Sequence, residues 1–541
     1  MCDLFLGLDC STQSLTALLI DFNLREVIYR NIINFDNDLP HYKTQNGVIN
    51  IKDNSVIHSY PLMWIEALEL IFERMKKDRV PIPKIKAISG SGQQHGTVYL
   101  NDKFEETLAK INIKKSLASQ LTHTFSRQTS PIWMDSSTTR QCDEIRYKLG
   151  GLKPTIERLG SNIIERFSGP QIRKFYQENF EGYNNTSIIH LVSSFIASIL
   201  LGRSAPIDHG DGAGMNLMNI KTKKWDKHVL NVTAPNLREK LPPLVKSSTI
   251  IGKISSYFVK KFGFTKYTNL IVWSGDNPNS LIGLGLIKKG KVAVSLGTSD
   301  TYFAYLKNLY FDYKGEGHVF GAPTGDYMSL ICYKNGSLAR ERIKNEFNLN
   351  WDDFSKILKN TQPGNFGKIM LPYFFPEIVP HVLEPQVHRF GFDHDDKEGN
   401  IRAIIEAQFL SMRLHSEWIG ERPEEIHATG GGSSNAEILQ ILANIFNIDV
   451  RVFEFTDSAA LGAAFRAIKS YYTTQNIIVT WDDIIDKFID FQKTTLIKPD
   501  KRYKELYDEM VSLYSKFEEF TLKNKENPES LRQEFIMKYF S

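Results

Sequence analysis

The chain has 541 residues, a net charge of +4, and 42% apolar and 24% charged residues, which is the composition of a globular protein too long for one ordinary core. The balanced charge, with no basic block, argues against nucleic-acid binding. An apolar start interrupted by Asp3 and Asp9, without a basic n-region, argues against a secretory signal, and no uncharged run is long enough to span a bilayer.

The four cysteines (Cys2, Cys10, Cys142 and Cys332) form no C-x-x-C pair and no metal-ligand spacing, and are read as reduced thiols of a cytoplasmic protein. Strand-like and helical segments alternate along the chain, the pattern of an α/β protein.

The first element, LFLGLDCSTQSLTALLIDF (Leu4 to Phe22), has two apolar runs joined by a small polar turn and predicts a β-hairpin. SYPLMWIEALELIFERMKKD follows with apolar residues at helical spacing, ended by Val80-Pro81-Ile82-Pro83. KIKAISGSGQQHGTVYL (Lys84 to Leu100) resembles a dinucleotide loop, but Gly96 falls one place off G-x-G-x-x-G. SIIHLVSSFIASILLG is expected to be one buried helix ended by Gly202, and DHGDGAGMNLMNI a glycine-rich turn leading into a strand.

GLIKKGKV (Gly285 to Val292) nearly matches a Walker A loop, yet Val292 has no hydroxyl for Mg²⁺ and the segment leads into a strand, so a chance match is the better reading. The domain boundary is expected between Gly283 and Gly290, giving domains 1–287 and 288–541.

A second hairpin opens the later half, KVAVSLGTSDTYFAYL (Lys291 to Leu306). Residues 371–396, rich in proline, aromatics and histidine, are expected to form a surface excursion. IRAIIEAQFLSMRLHSEWIG reads as a long helix. EEIHATGGGSSN is a strand and turn, AEILQILANIF a helix, DVRVF a strand, and SAALGAAFRAIKSYY a helix of small residues. From about Lys501 the charges alternate at helical spacing, which predicts a solvated C-terminal helix.

The two hairpin turns are the stronger phosphate candidates. Small residues let backbone N–H groups approach an anion, and Ser11, Thr12, Thr298 and Ser299 add hydroxyl donors. A carboxylate at Asp9 would repel phosphate directly but can hold a hydrated Mg²⁺ that bridges to it. In ATGGGSSN three glycines before a helix N-terminus suit close backbone approach to a flat ligand.

These three elements, in this order, resemble the sugar-kinase/Hsp70/actin superfamily, whose members hold ATP in a central cleft between two RNase H-like domains. SGSGQQHG, PIWMDSSTT, IERFSGPQI, SGDNPNSLIG and CYKNGSL narrow the resemblance to the FGGY carbohydrate kinases and, within them, to the eukaryotic xylulose-kinase branch, over Leu4 to about Tyr471.

The resemblance implies ATP-dependent phosphorylation of D-xylulose on its terminal hydroxyl, with another pentulose or a polyol as the alternative acceptor and an actin-like or Hsp70-like ATP-binding protein as a more distant one. It implies Asp276 as general base, with Gln94, His95, Arg166 and Asn277 binding sugar, and Asp135 as a further hydroxyl ligand. Thr12, Gly297, Thr298, Trp351, Gly431, Gly432 and Asn435 would bind ATP, and Asp9 would bind Mg²⁺ through water. The small-residue helix is expected to close the second domain.

Overall fold

A computed structural model describes residues 3–49, 53, 55–452, 457–489 and 494–541; Cys2 and the end of the DVRVF strand, Phe453, lie outside them. The other three cysteines are free thiols, Cys10 and Cys142 buried. No helix of the described residues is long and apolar enough to cross a membrane.

The chain divides into two compact units. The first holds residues 1–287, 319–328 and 457–490; the second holds 288–318, 329–456 and 491–541.

In the first unit, β1 (Leu4–Cys10), β2 (Ser14–Asp21), β3 (Glu26–Asn34), β4 (Ile85–Gly92), β5 (Ile250–Lys253) and β6 (Asn269–Ile271) form a sheet in the order β5-β6-β4-β1-β2-β3, and β7 (Ser274–Gly275) also pairs with β4. β1 and β2 are the expected antiparallel hairpin, while β4 runs parallel to β1. Every residue of β1 is buried, as a strand covered on both faces requires.

The second sheet comprises β8 (Lys291–Leu296), β9 (Asp300–Leu306), β10 (His318–Gly321), β11 (Tyr327–Tyr333), β12 (Glu425–Thr429), β13 (Asp449–Val452) and β14 (Thr495–Ile497), in the order β10-β11-β9-β8-β12-β13-β14. Its centre repeats the plan of the first. An antiparallel hairpin, β8–β9, is followed by two parallel neighbours, β12 and β13, and an antiparallel edge, β14. The protein is α/β, with two mixed sheets of related topology.

Five expectations change. SIIHLVSSFIASILLG is not one helix: Ile188–Leu191 is a strand, and the helix begins at Val192 and ends at Gly202, which is left-handed at φ 78°. A strand-forming start of β-branched residues competes successfully with the helical period. DHGDGAGMNLMNI begins with a short helix, His209–Ala213, capped by Asp208, before reaching a two-residue strand.

The 371–396 segment is only partly an excursion. It pairs Ile369–Pro372 with Val387–Phe390, and its Glu377 carboxylate accepts hydrogen bonds from the Lys334, Asn335 and Ile378 amides.

The small-residue helix (Ser458–Thr474) belongs to the first unit, where it lies against β1, β4 and the helix Asp276–Gly283. Its composition follows from that contact. A Cβ on Gly462 would meet the Asn279 carbonyl oxygen at 1.9 Å, and one on Gly7 would meet the Ala460 carbonyl oxygen at 1.9 Å.

The tail is not a solvated helix. Lys504–Lys523 buries Leu506, Met510, Leu513, Tyr514 and Phe517, a stripe at helical spacing that its abundant charges obscure. Its Tyr507 hydroxyl donates to Glu406 at 2.7 Å and accepts from Arg402 at 2.8 Å, both on the long helix Lys397–His415.

Candidate functional site

Strand register gathers the residues of the first unit. Along β1 and β4, Asp9 lies opposite Ser91 and Cys10 opposite Gly92; along β4 and β7, Ser274 pairs with Ser91 and Gly275 with Gly92. Asp9, the 90–96 loop and Asp276 therefore emerge at the same carboxyl ends of adjacent parallel strands, the usual position of ligand sites in such sheets. Gly90 and Gly92, at the end of β4, serve packing rather than a phosphate: a Cβ on Gly90 would strike the Trp273 ring at 2.1 Å, and one on Gly92 would meet the Ser193 amide nitrogen at 2.5 Å.

Asp276 is the first residue of its helix, and its Oδ1 accepts from the Asn277 amide at 2.9 Å. Asn277 Nδ2 donates to Gln94 Oε1 at 2.7 Å, which ties the base candidate to the loop. Protein crowds the Asp276 carboxylate although part of its surface stays open. Burial, and then the charge of Asp9, push its pKa up to about 7.

His95 is 5% exposed and stacks on Phe167, the ring centroids 4.1 Å apart. Its Nδ1 lies 2.7 Å from the Gly214 carbonyl oxygen, which can only accept, so Nδ1 carries the proton. Burial, and then the nearby Arg166 charge, lower its pKa to about 3. The ring is thus neutral, and Nε2 is left as an acceptor. His95 also sits at φ 71°, a left-handed conformation uncommon for such a side chain and characteristic of functional loops. The Arg166 guanidinium lies over the Phe167 ring at 5.7 Å.

Asp135 does not join this group. Its carboxylate accepts from the Ile57 and Ser137 amides, Ser137 Oγ and Gln171 Nε2, so it braces loops instead of offering a free ligand.

At the first hairpin turn, Ser11 Oγ donates to Asp9 Oδ2, while Asp9 Oδ1 is buried and takes no hydrogen bond among the described residues. That free carboxylate oxygen fits a hydrated Mg²⁺. No three His, Cys, Asp or Glu residues gather into a metal cage among the described residues, so the rest of such an ion's shell would be water and phosphate oxygen. Thr12 Oγ1 donates to Gln93 Oε1 at 3.2 Å and accepts from Trp133 Nε1 at 2.9 Å. Gln93 and Trp133 were not singled out in the sequence, although both stand inside quoted motifs, GQQHG and PIWMD.

The second unit gathers the remaining candidates. β8 and β12 run parallel with Ser295 opposite Thr429, so the Gly297–Thr298 turn and the glycine turn after β12 leave the same end of neighbouring strands. The hairpin turn is braced by a pair that sequence reading missed, Asp300 and Arg340, joined by two hydrogen bonds of 2.7 and 2.9 Å and both buried. Nothing in the local spacing of these residues, forty positions apart, signals their meeting.

The three glycines differ in kind. Gly430 is left-handed at φ 84°, and a Cβ there would lie 2.7 Å from the Leu296 carbonyl oxygen, whereas Gly431 has open space around it. Asn435 caps the helix Ala436–Phe446 through the Glu437 and Ile438 amides, and its Nδ2 donates to Ser355 Oγ at 2.7 Å. Ser355 lies one turn beyond Trp351 on the helix Trp351–Asn360, and its hydroxyl bonds the Trp351 carbonyl. The Asn435–Ser355 bond ties the helix that begins with the 40% exposed Trp351 to the glycine turn.

Two family models match the chain: the N-terminal domain of the FGGY family of carbohydrate kinases over residues 4–283, and its C-terminal domain over 292–471. The chain belongs to the FGGY carbohydrate kinase family, and it is a kinase. Xylulose kinase 2 of Arabidopsis thaliana is 46% identical over 486 residues, covering 86% of each chain. The xylulose kinase of Rattus norvegicus is 43% identical over 473 residues, covering 85% of this chain and 87% of its own. Among solved structures, the xylulose kinase of Rhodospirillum rubrum superposes with a TM-score of 0.82 at 16% identity, over 96% of this chain and 99% of that one, a likeness of fold.

Proposed function

We propose that this carbohydrate kinase phosphorylates D-xylulose on its terminal hydroxyl with MgATP, giving D-xylulose 5-phosphate. The observation that carries the reading is Asp276: a carboxylate at a helix N-terminus, poised near neutrality and bonded through Asn277 to the Gln94–His95 loop. The names of its plant and mammalian relatives support the acceptor.

In this mechanism Asp276 takes the hydroxyl proton as the oxygen attacks the γ-phosphorus. A group whose pKa lies near the working pH does this best, because it is both available and basic enough. Neutral His95 accepts a sugar hydroxyl at Nε2, and Gln94, Asn277 and Arg166 hold the remaining oxygens. Thr12, Gly297 and Thr298 bind phosphates; Trp351, Gly431, Gly432 and Asn435 bind the adenosine side.

Asp9 would hold the Mg²⁺, which supplies charge neutralisation at the phosphates. Transfer of this kind leaves the protein chiefly positioning and electrostatic work. The cytoplasm, where ATP is regenerated, is the expected compartment.

ADP release measured across ketoses and polyols tests the acceptor. D-Xylulose is expected to give the highest kcat/KM; ribulose or glycerol clearly ahead of it would overturn the choice of sugar.

A further inference from the structure

Asn279 lies one turn beyond Asp276 and is fully buried. Its Nδ2 donates to the Gly275 carbonyl at 3.0 Å, the residue immediately before Asp276, and to the Gly90 carbonyl at 3.2 Å, in β4, the strand that runs into the loop carrying Gln94 and His95. One amide thus joins the backbone under the base to the strand that leads into the sugar loop.

An amide can flip, and a flipped Asn279 would present its oxygen to both carbonyls. Arg466 prevents this. Its Nη1 donates to Asn279 Oδ1 at 3.1 Å, and only the unflipped amide can accept there. Arg466 is itself fixed, with Nη2 donating to the Val272 carbonyl at 2.7 Å and the Ser247 carbonyl at 2.8 Å. Asp208, 3.8 Å away, balances its charge and also accepts from Ser274 Oγ at 3.0 Å.

A guanidinium 1% exposed is costly to bury, and a helix pair as closely apposed as Ser458–Thr474 and Asp276–Gly283 could be packed with apolar side chains alone. Three of the hydrogen bonds of Arg466, Asn279 and Asp208 nevertheless converge on the short stretch Val272–Gly275, and another reaches Gly90 in β4.

We propose that Arg466 and Asn279 act as a positioning relay, which locks the first turn of the Asp276 helix to β4, the strand that leads into the sugar loop, and so sets the base against the acceptor hydroxyl. The proposal rests on the reading of Asp276 as base. Misplacement of a base by about 1 Å costs on the order of 10²-fold in rate.

The test uses the full chain with D-xylulose and MgATP. Asn279→Ala and Arg466→Met are each expected to lower kcat by about 10²-fold while both KM values and the calorimetric ATP affinity stay within about threefold. The double variant is expected to be no slower than the worse single one, because the two residues act as one unit. If Arg466→Met fails to fold around Asp208, the pair Arg466→Met with Asp208→Asn replaces it.

Multiplying losses in the double variant, or a kcat near wild type in Asn279→Ala, would overturn the relay. Asp276→Ala assayed alongside separates the two ideas. If it is inactive while Asn279→Ala is normal, the relay alone fails; if it turns over normally, the reading of the base fails.

Discussion

Asp9 and Asp276 stand at the ends of strands on either side of β4, and the charge of the first makes the second hold its proton more tightly. The coupling acts within one unit and makes the protonation of Asp276 responsive to the charge at Asp9.

The free enzyme should therefore lose activity on the acid side. Protonated Asp276 cannot accept the hydroxyl proton, so kcat/KM for sugar, measured at low nucleotide, should fall below a pH of about 7. Asp9→Asn removes that charge and should move the acid limb of the remaining activity to lower pH. A limb that stays put between wild type and this variant would contradict the coupling.

Asp276→Asn should stabilise the nucleotide-free protein. A carboxyl group raised in the folded state binds a proton more tightly there than in the unfolded chain. Its contribution is therefore nil well below pH 4 and becomes increasingly destabilising as pH rises towards about 7. The variant should gain on the order of 1–3 kcal/mol at pH 8 and little at pH 4, read by thermal or urea unfolding at both values. A loss of stability at pH 8 would contradict the burial of this charge.

On the proposed role of its Nε2 as acceptor of a sugar hydroxyl, His95→Ala should raise the KM for sugar by about tenfold or more and leave the KM for ATP within about twofold. With a pKa of about 3 the ring stays neutral, so His95 should add no ionisation between pH 5 and 9. Weaker nucleotide binding without a sugar effect would move the loop to the other substrate.

Trp351→Ala should weaken ATP, by about 1 kcal/mol in calorimetric affinity, if its exposed ring stacks on the adenine. Sugar affinity measured without nucleotide should be unchanged. Unaltered ATP affinity would return Trp351 to the surface.

Truncation after Asp500 should unfold the second unit rather than trim it. It removes the buried Leu506–Phe517 stripe, and it also removes Glu518, which together with Glu316 holds His415 charged, with a pKa of about 9. Hydrogen exchange on the Lys397–His415 helix reads the effect; wild-type protection there would contradict it.

The hairpins and the glycine turn were legible because each is local: a strand pattern and a small-residue turn. The buried pairs Asp300–Arg340 and Arg466–Asn279 join residues far apart in the chain, and no periodicity announces them. Charge alternation hid the apolar stripe of the tail. The packing of the small-residue helix was not legible, because composition reports close backbone approach without naming the neighbour, which proved to be the Asp276 helix and β1. The loop at residues 90–96 mimics a phosphate cradle because packing against Trp273 and Ser193 demands the same glycines.

The most direct test is turnover by Asp276→Ala, measured as D-xylulose-dependent ADP formation, with ATP affinity determined by calorimetry on the same preparation. A fall in kcat of at least about 10³-fold, with ATP affinity within about twofold of wild type, is predicted. A kcat within about tenfold of wild type would contradict the assignment of the acceptor's proton to this carboxylate.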